Sequence, residues 1–152
     1  MSKLSKGLFT SDKDFWETPM SLFNKLNARY HFTLDPCSTD RNAKCPKHYT
    51  KETNGLTKSW KNEVVFMNPP YGKEISKWVA KASQEYRGGG AIIVALLPAR
   101  TDTKWFHEYI NKQARVIFLK GRVKFELNGE VQQTAPFPSM IVIWEGIQDY
   151  EL

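Results

Sequence analysis

The stretch Val64-Val65-Phe66-Met67-Asn68-Pro69-Pro70-Tyr71-Gly72 decides the fold. Four consecutive apolar residues read as a strand buried on both faces, and the two prolines that follow exclude a helix or a further ladder at that point. The strand is expected to end at Asn68. Pro69 and Pro70 fix two φ angles, lack N–H donors and bias the residue before each towards extended backbone. The turn therefore presents an acceptor-rich edge, made of the Asn68 amide oxygen and a backbone carbonyl, with the flat face of Tyr71 beside it. A planar ring bearing an NH2 group fits that edge, with its two hydrogens on the two acceptors and its ring on Tyr71. The same four residues also suit a stiff loop without chemistry, so the rest of the chain has to decide.

Downstream, Ile75, Trp78, Val79, Ala82 and Tyr86 recur at helical spacing, and Arg87-Gly88-Gly89-Gly90 ends that helix. Ala91 to Leu97 is a second apolar strand, closed by Pro98, and the strand–helix–strand order predicts a right-handed parallel unit. Thr101 or Asp102 is expected to cap a helix carrying Trp105, Phe106, Tyr109 and Ile110, an aromatic stripe read as core. Strands are expected over Arg115 to Leu119, Val123 to Leu127 and Met140 to Trp144, with Asn128-Gly129 as a hairpin signal and Ala135-Pro136-Phe137-Pro138-Ser139 as a break.

Upstream, Thr18 is placed to cap a helix with Pro19 in its first turn, and Leu22, Phe23 and Leu26 carry its apolar stripe to about Arg29. Tyr30 to Asp35 reads as a strand with Phe32 and Leu34 on one face, broken by Asp35-Pro36-Cys37-Ser38. Ligands of open α/β sheets bind outside the carboxyl ends of strands, so Asp35 and Asn68 are expected to line one cleft if their strands are parallel neighbours. The 33 positions between them leave room for one crossover and little else, with one brief strand near His48 to Thr50. A flexible arm is expected over residues 1–12 and one domain over residues 13–152.

A chain of 152 residues is a prior for a single domain that buries roughly two-thirds of the surface its unfolded form exposes. Its hydrophobic fraction of 41% argues for a globular rather than a disordered chain. No apolar run approaches a membrane span, and Met1 to Thr10 is polar and basic without the apolar segment of a signal peptide, so a cytoplasmic protein is expected. The formal charge of +6 favours a polyanionic partner. Cys37, Cys45 and His48 lack the spacing of a structural zinc site; reduced thiols and no metal are expected.

With Glu17-Thr18-Pro19, Leu34-Asp35-Pro36 and Asn68-Pro69-Pro70-Tyr71 in order, the sequence resembles the small phage-type DNA N6-adenine methyltransferases. The match extends to Leu97-Pro98-Ala99-Arg100-Thr101, Gly121-Arg122-Val123-Lys124-Phe125 and Pro136-Phe137-Pro138-Ser139, and covers Asp14 to Trp144. The resemblance implies an α/β, single-domain, Rossmann-like methyltransferase fold, with a mostly parallel sheet and an antiparallel C-terminal hairpin strand, and S-adenosylmethionine as cofactor. It implies that Thr18, followed by Pro19, holds the cofactor's carboxylate and that Asp35, followed by Pro36, holds its ammonium group. Glu52 would take the ribose, and the amide oxygen of Asn54 the amino group of the cofactor's adenine. Asn68, Pro69, Pro70 and Tyr71 would receive the target adenine, with Asn68 also bordering the cofactor. Cys37-Ser38-Thr39-Asp40 stands where larger methyltransferases have a glycine-rich loop.

The chemistry expected from the resemblance is methylation of the exocyclic amino nitrogen of an adenine flipped out of double-stranded DNA. Tyr71 would stack on the extruded ring and Phe125 cover its other face. Arg100, Lys104, Lys120, Arg122 and Lys124 are expected at phosphates, and the loop from Asn128 to Pro138 in a groove. No membrane and no obligatory protein partner is expected. Two other readings stay open at this point: methylation of a glutamine side chain or of RNA through the same Asn-Pro-Pro-Tyr pocket, and a non-catalytic DNA-binding phage protein that keeps the fold.

Overall fold

The computed structural model describes residues 15–131 and 134–146; the arm expected over 1–12, the start of the domain at 13, and Gln132 and Gln133 of the loop expected in a groove lie outside the described residues. The elements are α1 (Met20–Tyr30), a 3-10 turn (Gly55–Thr57), β1 (Val64–Met67), α2 (Ile75–Gly89), β2 (Ile92–Pro98), α3 (Lys104–Tyr109), β3 (Arg115–Phe118), β4 (Glu126–Leu127), β5 (Glu130–Val131) and β6 (Ser139–Trp144). Four strands form one sheet in the order β1-β2-β6-β3, and β4 and β5 form a separate ribbon.

β1 and β2 pair in parallel, Val64 to Met67 against Ile92 to Ala95, with α2 as the crossover. β6 then inserts between β2 and β3 and runs against both. Two of the three ladders are therefore antiparallel, and the sheet is mixed where a mostly parallel one is expected. The physical reason lies between β3 and β6. A parallel return needs a crossover of a dozen or more residues, usually a helix, whereas residues 119–138 hold only the β4–β5 ribbon among those described. The reversal leaves β1, β2 and β3 pointing one way and β6 alone the other.

The expected strand ending at Asp35 is shorter than its pattern suggests. α1 runs on to Tyr30 and closes at His31, whose φ of 56° turns the chain, with Asn27 Oδ1 accepting from the Phe32 amide at 2.8 Å. What remains makes two bridges only, Leu34 with Val65 and Asp35 with His48, both parallel. That is enough to place Asp35 beside β1 at the carboxyl end of the sheet.

Caps also differ from expectation. Pro19 occupies the cap position of α1 without a side-chain bond, because Thr18 is engaged elsewhere. α3 is capped by Thr103, whose hydroxyl accepts from Phe106 N at 3.3 Å, in place of Thr101 or Asp102. The strand expected over Val123 to Leu127 contracts to Glu126–Leu127. The hairpin behind it is as its sequence predicts: Asn128 (φ 55°) and Gly129 (φ 83°) both take the left-handed conformation that a tight two-residue turn requires.

β1, β2 and β6 are almost wholly buried, and α2 lays Ile75, Trp78, Val79 and Ala82 on the core. Trp60, fully buried, pins the preceding loop to that helix: its ring stacks on Trp78 and its Nε1 donates to Gly55 O at 3.0 Å. Its backbone amide donates to Glu85, which also pairs with Lys81 at 3.1 Å. Among the described residues no helix is long and apolar enough to cross a membrane.

Candidate active site

The site is built at the carboxyl end of β1. The apolar run ends at Met67, and Asn68-Pro69-Pro70 leaves the sheet as an extended turn, as the prolines dictate. Both hydrogens of the Asn68 carboxamide are used: Nδ2 donates to the Trp16 carbonyl and, at 2.9 Å, to Thr18 Oγ1. A backbone carbonyl only accepts, so the atom facing Trp16 is the NH2 group, and the orientation of the amide follows. Asn68 Oδ1 on the other side is buried and without a partner among the described residues. An unpaired buried carbonyl oxygen costs about 1–3 kcal/mol, and Oδ1 keeps the capacity to accept from a donor brought to it.

Tyr71 is buried, and its hydroxyl donates to Leu96 O at 2.7 Å, which ties the turn to β2. Burial pushes its phenol well above the ordinary value, so it stays protonated as that donor. Its ring is met edge-on by Phe125 at 6.2 Å and Phe137 at 5.7 Å. Trp16 packs edge-on against the same two rings, at 5.4 and 5.3 Å. Four aromatic rings thus pack into one cluster, and the backbone of one of them, Trp16, meets the Asn68 carboxamide. Arg100 borders the cluster, its guanidinium 5.9 Å from the Phe137 ring centre and 3.4 Å from the Tyr71 carbonyl.

Asp35 lies on the neighbouring strand segment, also buried. Its carboxylate accepts from the backbone amides of Lys44 at 2.9 Å and Cys37 at 3.4 Å. Burial nonetheless raises its pKa above the ordinary carboxylate value, and those amides together with His48 and Lys44 only partly offset this. The carboxylate has lone pairs to spare and is short of positive charge, which suits an ammonium ligand. The Cys37 thiol lies between Asp35 and the Asn68 backbone; burial and then the Asp35 charge push it well up, so it remains a thiol. Ser38 Oγ, next in the loop, is a second buried oxygen without a partner among the described residues.

Pro36 is pressed against the 3-10 turn so closely that a Cβ on Gly55 would lie 2.1 Å from the Pro36 carbonyl oxygen. Asn54, at φ 54°, uses its amide oxygen to accept from Leu56 N at 3.2 Å, so the atom expected at the cofactor's adenine is engaged in shaping the turn. Glu52 is exposed on the turn before it.

Of the basic residues, Lys120, Arg122 and Lys124 line one groove of about 450 Å³, together with Pro19, Leu22 and Glu126. None of the three is in an ion pair among the described residues. Arg122 donates to Ala135 O at 3.4 Å. Phe125 turns inward to the aromatic cluster next to Lys124, so groove and cluster adjoin. Lys104 stands apart on α3, paired with Glu108 at 3.6 Å.

Trp16 and Phe137 are site residues that the sequence reading does not single out. The signal for both is adjacency to markers that it does use, Glu17-Thr18-Pro19 and Pro136-Phe137-Pro138-Ser139. Cys37 reads from sequence only as a reduced thiol, since nothing in its spacing shows that the loop folds back to Asn68.

Residues 5–151 match the family model described as DNA N-6-adenine-methyltransferase (Dam). The chain is 34% identical over 128 residues to the DNA N-6-adenine-methyltransferase of Escherichia phage T1, a match that covers 82% of this chain and 53% of that protein. It is 31% identical over 140 residues to the DNA N-6-adenine-methyltransferase of Haemophilus phage HP1, covering 89% of this chain and 80% of the relative. The chain thus spans about half the length of the first relative and four-fifths of the second. With nearly its whole length matched, the chain belongs to the DNA N-6-adenine-methyltransferase (Dam) family.

Proposed function

We propose that the protein methylates the exocyclic amino nitrogen of adenine in double-stranded DNA, with S-adenosylmethionine as the methyl donor. The observation that carries this reading is the buried Asn68 Oδ1, without a partner among the described residues and set by Asn68-Pro69-Pro70 beside an aromatic cluster. The sheet supports it too. The Leu34 segment, β1, β2 and β3 share one direction and β6 alone is reversed, which suits a Rossmann-like methyltransferase arrangement with its ligands at the carboxyl ends.

The amino nitrogen of adenine is a weak nucleophile because its lone pair is delocalised into the ring. Asn68 Oδ1 and the Pro69 carbonyl accept its two hydrogens, which favours a more tetrahedral nitrogen with an available lone pair. The cofactor, when bound, supplies an electrophilic methyl group. Asp35 holds its ammonium end and neutralises there a charge the fold leaves buried; Ser38 Oγ offers a further polar contact. Thr18, Pro19, Pro36, Glu52 and Asn54 belong to the same expected lining, with Asn54 limited by its bond to Leu56 N. Positioning and electrostatics do the catalytic work, and no Ser or Cys nucleophile is required.

The target base has to leave the helix stack, and to reach Asn68 Oδ1 it has to part the rings of Trp16, Phe125 and Phe137. Stacking against Tyr71 and Phe125 returns roughly 1–3 kcal/mol of the unstacking cost. Lys120, Arg122 and Lys124 hold the DNA backbone in the adjoining groove, with Arg100 nearer the base. The test is to incubate the protein with methyl-labelled S-adenosylmethionine and unmethylated duplex DNA, then digest to nucleosides and identify the product by mass. N6-methyladenine is expected. Label in protein or RNA alone, or none at all with the cofactor bound, would exclude this function.

A further inference from the structure

We propose that Thr18 is a positioning residue for the methyl transfer: it fixes the Asn68 carboxamide so that Oδ1, and not the NH2 group, faces the target amine. Three observations meet here. Thr18 is 1% exposed and stands outside α1, with its hydroxyl unused as a helix cap. Its Oγ1 takes one Asn68 Nδ2 hydrogen at 2.9 Å, and the Trp16 carbonyl takes the other. Asn68 Oδ1 is left buried and, among the described residues, unpaired.

A primary amide has two nearly isosteric ends of opposite hydrogen-bonding character. An NH2 group turned towards the amino group of adenine would set donor against donor and leave the lone pair of the nitrogen delocalised. The carboxamide therefore needs an environment that tells its ends apart. The segment 16–18 supplies two acceptors on one side, one from main chain and one from side chain, and the opposite side offers no partner among the described residues. Thr18 thereby couples the Glu17-Thr18-Pro19 segment to the catalytic turn 50 residues away. Having accepted from Asn68, its hydroxyl keeps its own hydrogen for donation, so a contact to the cofactor is a separate property of the same atom.

This inference rests on the proposed adenine methylation, and the experiment separates the two. Thr18→Val keeps the shape and removes the acceptor; Thr18→Ser keeps the acceptor and trims a methyl. Turnover at saturating cofactor and DNA, the KM values, and calorimetric cofactor affinity are compared in wild type and both variants. The Asn68 side-chain amide resonances, read by NMR, report the contact without turnover. Thr18→Val is expected to lower kcat by about 10–100-fold, as misorientation of a reacting group does. Any cofactor contact donated by the same hydroxyl is lost with it and is read separately by calorimetry, whereas kcat at saturating cofactor reports the positioning alone. The Asn68 amide proton facing Thr18 loses its hydrogen-bonded shift. Thr18→Ser recovers most of the turnover and the shift. A Thr18→Val that weakens cofactor binding while kcat at saturation holds, equal losses in both variants, or an unmoved Asn68 amide signal would overturn the proposal while leaving the methyltransferase reading intact. Wild type that makes no N6-methyladenine would overturn the reading and the catalytic role of Thr18 together.

Discussion

Gly55→Ala sets two effects against each other, and magnitudes decide the sign. Gly55 is not among the residues with positive φ, so alanine is allowed there by backbone conformation, and the smaller entropy of its unfolded chain would stabilise by about 0.4–1 kcal/mol. The added Cβ, however, would lie 2.1 Å from the Pro36 carbonyl oxygen, 3.1 Å from its carbon and 3.3 Å from its Cβ, against an ordinary contact of 3.4–4 Å. The nearest atoms are main chain and have no rotamer to change. Either Pro36 or the 3-10 turn must retreat by more than 1 Å. Overpacking of this kind costs about 1–3 kcal/mol and sometimes more; with an approach this short the upper end applies, and about 2 kcal/mol of net destabilisation remains. For a chain of this size that lowers Tm by about 4–8 °C. Pro36 follows Asp35 directly, so cofactor affinity is expected to fall with it. Thermal melts with and without S-adenosylmethionine read both effects. A Tm equal to or above that of wild type would overturn this estimate, since it would mean that the loop yields freely.

Tyr71→Phe removes the donor to Leu96 O and is expected to cost about 0.5–1.5 kcal/mol in denaturant melts while most turnover survives; an inactive variant would give the hydroxyl a chemical role. His48 offers Nδ1 to Pro46 O at 2.9 Å and Nε2 to Asp40 at 2.8 Å, both of which call for N–H, and the bond to Asp40 raises its pKa above 6.5. Its contribution is then fully present below about pH 6.5 and lost as pH rises through the higher folded value. For a pair this open to solvent it amounts to about 0.2–1 kcal/mol, so the stability gap between wild type and His48→Gln should close as pH rises; a gap that widens would contradict the assignment. Replacing Lys120, Arg122 and Lys124 together by alanine should reduce the salt dependence of DNA binding by about 0.9 in log–log slope for each phosphate no longer neutralised. An unchanged slope would place the DNA backbone elsewhere.

Much of the frame is legible in residue patterns because those patterns report local physics. The apolar run Val64 to Met67, stopped by two prolines, yields a buried strand and a rigid turn, and the period of Ile75, Trp78, Val79 and Ala82 yields the helix that follows. Asn128-Gly129 yields its turn for the same reason. Less legible is what depends on contacts between distant segments. Thr18 reads as a cap by its neighbours, yet Asn68 claims its hydroxyl. Tyr71 reads as an open stacking face, yet Phe125 and Phe137 meet it edge-on. Asn54 reads as a cofactor ligand by its place in the resemblance, yet its oxygen shapes its own turn. The direction of β6 is set by which gap in the sheet it fills, and no period in Met140 to Trp144 reports that. The family resemblance supplies the proposed substrate class; the oxygen left without a partner among the described residues, and the amide orientation, come only from three-dimensional contacts.

Catalysis as proposed turns on one atom, Asn68 Oδ1, acting as acceptor for the target amine. Asn68→Ala removes it and frees the Thr18 hydroxyl, while leaving the backbone of the turn, Asp35 and Cys37 in place. The deciding measurement is single-turnover methylation of duplex DNA by this variant at saturating cofactor, with cofactor affinity read by calorimetry on the same preparation. Near-normal cofactor binding is expected, together with a loss of methyl transfer of at least about 100-fold, the usual effect of deleting one preorganised hydrogen-bonding group that acts at the transition state. Methyl transfer within a few-fold of wild type would contradict the role given to Asn68.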